Sequence, residues 1–191
     1  MNPVSPYAIS KHNAHKHIQA MRDQGLFACS GILFNHESPR RGKEFVTRKI
    51  TYELANIAHG RSRKIHLGNL NAKRDWGFAP DYVRAIWLMM QQEEPDDYVI
   101  ATGKNHTILE LLHEAAKHFN IDRPERYITI DSSLYRPQEV NDLCGDATFA
   151  KAILGWEPTT TFEQLIKIMA ESDDKLVQSE IAQTEKLKQL R

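Results

Sequence analysis

Apolar positions recur along this chain in two rhythms. Three- and four-residue steps alternate with short continuous apolar runs. The first rhythm predicts amphipathic helices and the second buried strands. No strand pattern occurs over 7–24, which reads as a helix stopped by Gly25. The run LFACSGILF at 26–34 predicts a strand, and NHESPRRGK at 35–43 a loop. Phe45, Ile50, Leu54, Ile57 and Ala58 predict a helix ending at Gly60. Residues 65–67 read as a strand, 68–77 as a loop, and 81–92 as a helix that Asp81 caps.

The same alternation continues downstream. YVIA at 98–101 reads as a strand closed by Thr102 and Gly103. Thr107-x-x-Glu110 is a capping box opening a helix to Phe119. A strand follows at 127–130, then a short helix over 146–154 ended by Gly155 and Pro158. Thr160-x-x-Glu163 reads as a second capping box, with a helix from Phe162 that Asp173 and Asp174 interrupt. The stretch 178–191 is polar and reads as a projecting helix. Alternating strands and helices place the chain in the α/β class. No internal repeat or low-complexity segment is visible, and neither G-x-G-x-x-G nor G-x-x-G-x-x-G occurs.

Charge narrows the class further. The 191 residues carry 25 Lys+Arg against 25 Asp+Glu, a formal net charge of zero. General nucleic-acid binding and anchoring to anionic membrane both call for a basic surface, so neither is expected. Apolar runs such as 85–90 fall far short of the ~20 residues that span a bilayer. Two cysteines, Cys29 and Cys144, suit a reduced, cytoplasmic protein.

Tyr7-x-x-x-Lys11 is the first constellation with chemistry. Residues four apart share a helix face, so phenol and ammonium point the same way. A cation beside a phenol favours the phenolate, which suits an acid/base acting on a hydroxyl. His12, His15 and His17 lie three and two apart without a nearby cysteine or carboxylate, and no metal site is expected.

Longer strings surround that pair. SPYAISK at 5–11 resembles the S-P-Y-x-x-x-K segment of extended short-chain dehydrogenases/reductases acting on nucleotide-sugars. GILFNHESPRRG at 31–42, FVTRKI at 45–50 and LGNLNAKRDWG at 67–77 resemble the GDP-mannose 4,6-dehydratase family. YVIATG at 98–103, YRP-x-EV at 135–140, GD at 145–146 and LGW-x-P at 154–158 continue the resemblance in family order.

The resemblance implies the C-terminal portion of a Rossmann-like fold plus a small sugar-nucleotide-binding lobe. Residues 1–60 would be the residual Rossmann-like part, 61–175 mainly the substrate lobe, and 176–191 a polar tail. It implies the conversion of GDP-mannose to GDP-4-keto-6-deoxymannose, a hydro-lyase reaction with internal hydride transfer through NADP. Tyr7 would take the proton from the 4-hydroxyl, while Lys11 tunes Tyr7 and holds the nicotinamide ribose. His36 and Arg41 resemble family contacts to NADP; a guanidinium forks readily onto phosphate oxygens. Asn35, Lys49, Arg74, Arg136 and Glu139 resemble the GDP-sugar set. There Arg74 and Arg136 face the diphosphate, Lys49 the purine and Glu139 the ribose hydroxyls.

In the family pattern the glycine-rich half and the catalytic Thr and Glu precede Ser5, where this chain has four residues. The resemblance therefore implies a truncated or split dehydratase, inactive alone, that self-associates or pairs with a full-length paralogue. Two alternatives remain at this level: a non-catalytic GDP-sugar-binding remnant, and another nucleotide-sugar epimerase or dehydratase.

Overall fold

The computed structural model describes Pro3, residues 5–135 and residues 142–189. In chain order the elements begin with α1 (Pro6–Asp23), β1 (Ser30–Leu33), β2 (Asn35–Glu37) and α2 (Val46–Ala58). Next come β3 (Ile65–Leu67), β4 (Lys73–Arg74), β5 (Trp76–Phe78) and α3 (Ala79–Met89). The remainder is β6 (Asp97–Ile100), β7 (His106–Thr107), α4 (Ile108–His118), β8 (Ile128–Ile130), β9 (Asp142–Leu143), α5 (Thr148–Leu154) and α6 (Phe162–Gln189). Two compact units share these elements. One comprises Met1–His36, Asp75–Lys104 and Cys144–Thr159; the other comprises Glu37–Arg74, Asn105–Leu143 and Thr160–Arg191.

The first unit is built on a parallel pair, β1 beside β6, in register from Ser30↔Asp97 to Leu33↔Ile100. Its core is Tyr82, Ala85 and Met89 of α3, Tyr98 and Ile100 of β6, Ala150 and Leu154 of α5, and Trp156. Gly155 ends α5 at φ 60°, a left-handed conformation that costs a glycine least, and the turn delivers Trp156 to that core. Polar contacts fasten α1, which buries none of its residues. Arg22 reaches the Asp97 carboxylate at 2.5 Å and the Ala28 carbonyl at 2.8 Å. Gln19 donates to Asp97 at 3.0 Å, and the His15 ring meets the Ser30 hydroxyl at 2.9 Å.

Three helices form the core of the second unit. Ile50, Leu54 and Ala55 of α2 join Leu111, Leu112, Ala115 and Ala116 of α4. Leu165, Ile166, Met169, Ala170 and Val177 of α6 complete the set. Their three- and four-residue spacing gives each helix one apolar stripe. Beside them lie the parallel pair β3–β8 and the three-stranded sheet β7-β4-β9, with β4 central.

Several local expectations shift. α3 begins at Ala79, so Asp81 lies inside the helix; its carboxylate holds Thr159 through the amide at 3.1 Å and the hydroxyl at 2.6 Å. The capping box of α6 is Thr161 with Gln164, one residue later than the Thr160–Glu163 pair. No break occurs at Asp173. Its buried carboxylate accepts from Thr51 at 2.6 Å and Arg48 at 3.1 Å, so the helix continues across it. Burial pushes that carboxyl above the ordinary aspartate range, against the opposing pull of Thr51 and Arg48. β2, β4 and β5 occupy stretches whose polar residues read as loop.

Glu180 gathers three partners from α2 and its flanks. Arg61 lies at 2.7 Å, the Tyr52 hydroxyl at 2.9 Å and Lys43 at 3.2 Å. Chiefly the Arg61 bond, then Tyr52 and Lys43, hold its carboxyl below the ordinary glutamate range. A lowered native pKa means the unfolded chain binds the proton more readily, so this contribution is full at neutral pH and fades on acidification. Glu180→Gln should therefore shrink the difference in urea midpoint between pH 7 and the acid side of the ordinary glutamate pKa. An unchanged difference would remove Glu180 from the acid sensitivity.

Candidate functional site

Tyr7 and Lys11 lie in the first turns of α1. Ser5 starts that helix by accepting the Ala8 amide at 3.1 Å, and Pro6 supplies the fixed φ suited to its first position. The four-residue spacing does what the sequence predicts: the Lys11 ammonium sits 5.7 Å from the centre of the Tyr7 ring. Tyr7 is 72% exposed, so its hydroxyl is available to a ligand.

β2 carries Asn35 and His36 in the same unit, both half-buried. The Nδ1 atom of His36 lies 2.9 Å from the Phe34 carbonyl, and a carbonyl only accepts, so Nδ1 bears the proton. Stacking on Tyr82, with ring centres 5.2 Å apart, fixes the imidazole plane. Nε2 is left as the acceptor of the neutral ring.

Arg41, Lys49 and Arg74 belong to the second unit. Arg41 is constrained on two sides: its Nε lies 3.3 Å from the buried Glu37 carboxylate, and its guanidinium stacks 3.7 Å over the Phe45 ring. Glu37 is itself fixed by the Thr47 hydroxyl at 2.7 Å. Arg48 further secures the Arg41 carbonyl at 2.6 Å. Two terminal nitrogens remain to fork onto an anion. Lys49 is half-buried on α2, and Arg74 on β4 donates to the Lys73 carbonyl at 2.7 Å. Arg136 and Glu139 lie outside the described residues.

Four candidates thus fall in one unit (Tyr7, Lys11, Asn35, His36) and three in the other. Within the first unit a cleft of about 340 Å³ is lined by Thr102, Gly103, Gly145, Asp146, Lys151 and Trp156 among others, and by none of the candidates. Residue patterns alone passed over Glu37 and Asp75. Glu37 had a signal, an acidic residue four before Arg41, within a stretch that otherwise reads as solvated loop. Asp75 is fully buried and accepts four hydrogen bonds. Among the described residues no group of histidine, cysteine and carboxylate side chains could hold a metal ion, and no helix is long and apolar enough to cross a membrane.

Comparison with known proteins places these features in one family. The family model described as GDP-mannose 4,6 dehydratase matches residues 1–169. The chain is 53% identical over 180 residues to GDP-mannose 4,6 dehydratase 2 of Arabidopsis thaliana, covering 94% of this chain and 48% of that protein. Identity is 43% over 194 residues to the Homo sapiens GDP-mannose 4,6 dehydratase, covering 93% of this chain and 52% of that protein. This chain spans about half the length of the curated relatives it matches.

Solved structures agree on the fold. RMD from Pseudomonas aeruginosa, complexed with NADPH, superposes with a TM-score of 0.82 at 22% identity, over 91% of this chain and 58% of that one. The dTDP-glucose 4,6-dehydratase of Bacillus anthracis, in complex with NAD, gives 0.79 at 21% identity, over 92% of this chain and 54% of that one. The fold is therefore α/β and Rossmann-like, and this chain spans somewhat more than half of each of those structures. By the family match over residues 1–169 and by its identity to relatives of plant and animal origin, this chain belongs to the GDP-mannose 4,6-dehydratase family.

Proposed function

We propose that this chain supplies the tyrosine–lysine pair and the sugar-nucleotide-binding residues of a GDP-mannose 4,6-dehydratase. The observation that carries the reading is the Tyr7–Lys11 pair, on one exposed helix face and 5.7 Å from ammonium to ring centre. Tyr7 would accept the proton of the sugar 4-hydroxyl, and Lys11 would favour the phenolate that does so. NADP, when bound, would supply the acceptor for the hydride of carbon 4. Residues present fit part of that cofactor. Arg41 offers a braced guanidinium to a phosphate, and Lys11 an ammonium to ribose hydroxyls. The sequence holds no glycine-rich turn to cradle the pyrophosphate.

For the sugar nucleotide, Arg74 and Arg136 would neutralise the diphosphate, Lys49 would donate to the purine and Glu139 would accept from ribose hydroxyls. Asn35 would hydrogen-bond the sugar. The exposed apolar side chains of Ile9, Leu26 and Phe27 support self-association or pairing with a longer paralogue. A neutral charge balance and two free cysteines support a cytoplasmic location.

Calorimetric titration tests the reading. GDP-mannose should bind, and Arg74→Ala should weaken it about 10–100-fold, the equivalent of one charge-assisted contact of ~1.5–3 kcal/mol. A separate NADP titration decides the cofactor half: saturable binding places the cofactor on this chain, whereas silence beside GDP-mannose binding makes it a sugar-nucleotide binder. Absence of GDP-mannose binding would overturn the reading.

A further inference from the structure

Asp75 lies between Arg74 and Trp76, at the point where β4 gives way to β5. Its side chain is 0% exposed. Oδ1 accepts the Thr102 amide at 2.9 Å and the Thr102 hydroxyl at 2.7 Å. Oδ2 accepts the Gly103 amide at 2.9 Å and the Gly145 amide at 3.2 Å. Its two oxygens thus accept from four donors, three of them backbone amides. Gly145 must be glycine for the clasp to close, because a Cβ there would collide with the Ala101 side chain and the Phe34 ring. Gly103 adopts φ 75°, which again favours glycine.

The three segments so gathered have one thing in common. Asp75 directly follows β4, Thr102 and Gly103 precede β7, and Gly145 follows β9. Those three strands form one sheet with β4 at its centre, pairing Arg74 with His106 on one side and Leu143 on the other. One carboxylate therefore gathers the stretches of chain that directly follow β4, shortly precede β7 and shortly follow β9. β9 in turn follows residues 136–141, which include Arg136 and Glu139.

We propose that Asp75 is a positioning residue for diphosphate recognition: without touching the ligand, it sets the register of the strand that presents Arg74. This inference rests on the sugar-nucleotide reading above. An Asp75→Asn side chain keeps the shape of the aspartate but turns an amide NH2 toward two backbone N–H donors. The clasp on Gly103 and Gly145 opens, and Arg74 loses its fixed starting point.

The test is a double-mutant cycle read by GDP calorimetry, with wild type, Asp75→Asn, Arg74→Ala and the double variant. Asp75→Asn should weaken GDP by at least about 10-fold, and the double variant should be little weaker than Arg74→Ala alone. A merely structural role would lower the melting temperature, leave the GDP affinity of the folded protein unchanged, and overturn the proposal. Additive losses would overturn it too, since Asp75 would then act independently of Arg74. Should Asp75→Asn fail to fold, Thr102→Val removes one donor and keeps the carboxylate. It should give a smaller affinity loss that Thr102→Ser restores, and unchanged GDP binding by Thr102→Val would count against the clasp. GDP binding by wild type with no change in Asp75→Asn sinks this inference alone; no binding by wild type sinks the sugar-nucleotide reading with it.

Discussion

In an assembly with a longer paralogue that supplies the glycine-rich half and has lost its own tyrosine, Tyr7→Phe should lower GDP-mannose turnover by ~10²–10⁴-fold, the span that a positioned acid/base typically contributes. The same substitution should leave stability within ~0.5 kcal/mol, because the ring is 72% exposed and α1 keeps its Ser5 cap. That separation makes the variant informative. A phenylalanine retains the ring that faces Lys11 and removes only the oxygen that exchanges the proton. Turnover of that assembly with saturating NADP and GDP-mannose, beside a thermal melt of this chain, reads both quantities. Equal and measurable turnover by the two assemblies would take Tyr7 out of the reaction.

Trp156→Ala should destabilise the chain by ~3–5 kcal/mol. Trp156 is 1% exposed, meets the Tyr82 ring edge-on at 5.9 Å, and donates its indole N–H to the Asp81 carbonyl at 2.8 Å. Truncation removes the largest side chain of that core, leaves a cavity and deletes the indole hydrogen bond. Against a total stability of ~5–15 kcal/mol, the loss would bring the fold close to its threshold. Trp156→Phe should fall between the two, since it fills part of the space and loses the hydrogen bond. Urea midpoints at constant slope measure the series. A loss below about 1 kcal/mol for the alanine variant would mean that the cluster around Tyr82 closes over the gap.

Elements whose cause is local were readable from the chain. Thr107 and Glu110 cap α4 because both halves of the box lie within four residues, and Gly155 ends α5 because a left-handed turn favours it at that position. The cap of α6 was ambiguous for an equally local reason. Thr160 precedes Glu163 by three residues and Thr161 precedes Gln164 by three, so the pattern fits twice and the helix start at Phe162 selects the second. Strands as short as β4 and β9 show no period at all, and only their pairing within the sheet β7-β4-β9 defines them. Asp173 misled because two adjacent aspartates look like a helix break until Arg48 and Thr51, more than 120 residues earlier, are known to meet the first of them.

For the site, local spacing predicted the Tyr7–Lys11 face, and family strings supplied the remaining positions. What neither could show is the bracing of those groups. Glu37 behind Arg41 can be suspected from a four-residue step, but its burial cannot. Asp75 draws its partners from Thr102, Gly103 and Gly145, which no window around residue 75 contains.

Chain connectivity has a further consequence, one for synthesis. Polypeptide passes from one unit to the other after residues 36, 74, 104, 143 and 159, so neither unit is continuous. During synthesis β1 is made more than 120 residues before Trp156 arrives to complete the core that Leu33 packs against. The three-helix core likewise waits for α6. At ~5–20 residues per second, apolar surfaces on the nascent chain stay uncovered on the order of ten seconds. Both cores then close almost together, once residues 156–177 have been made.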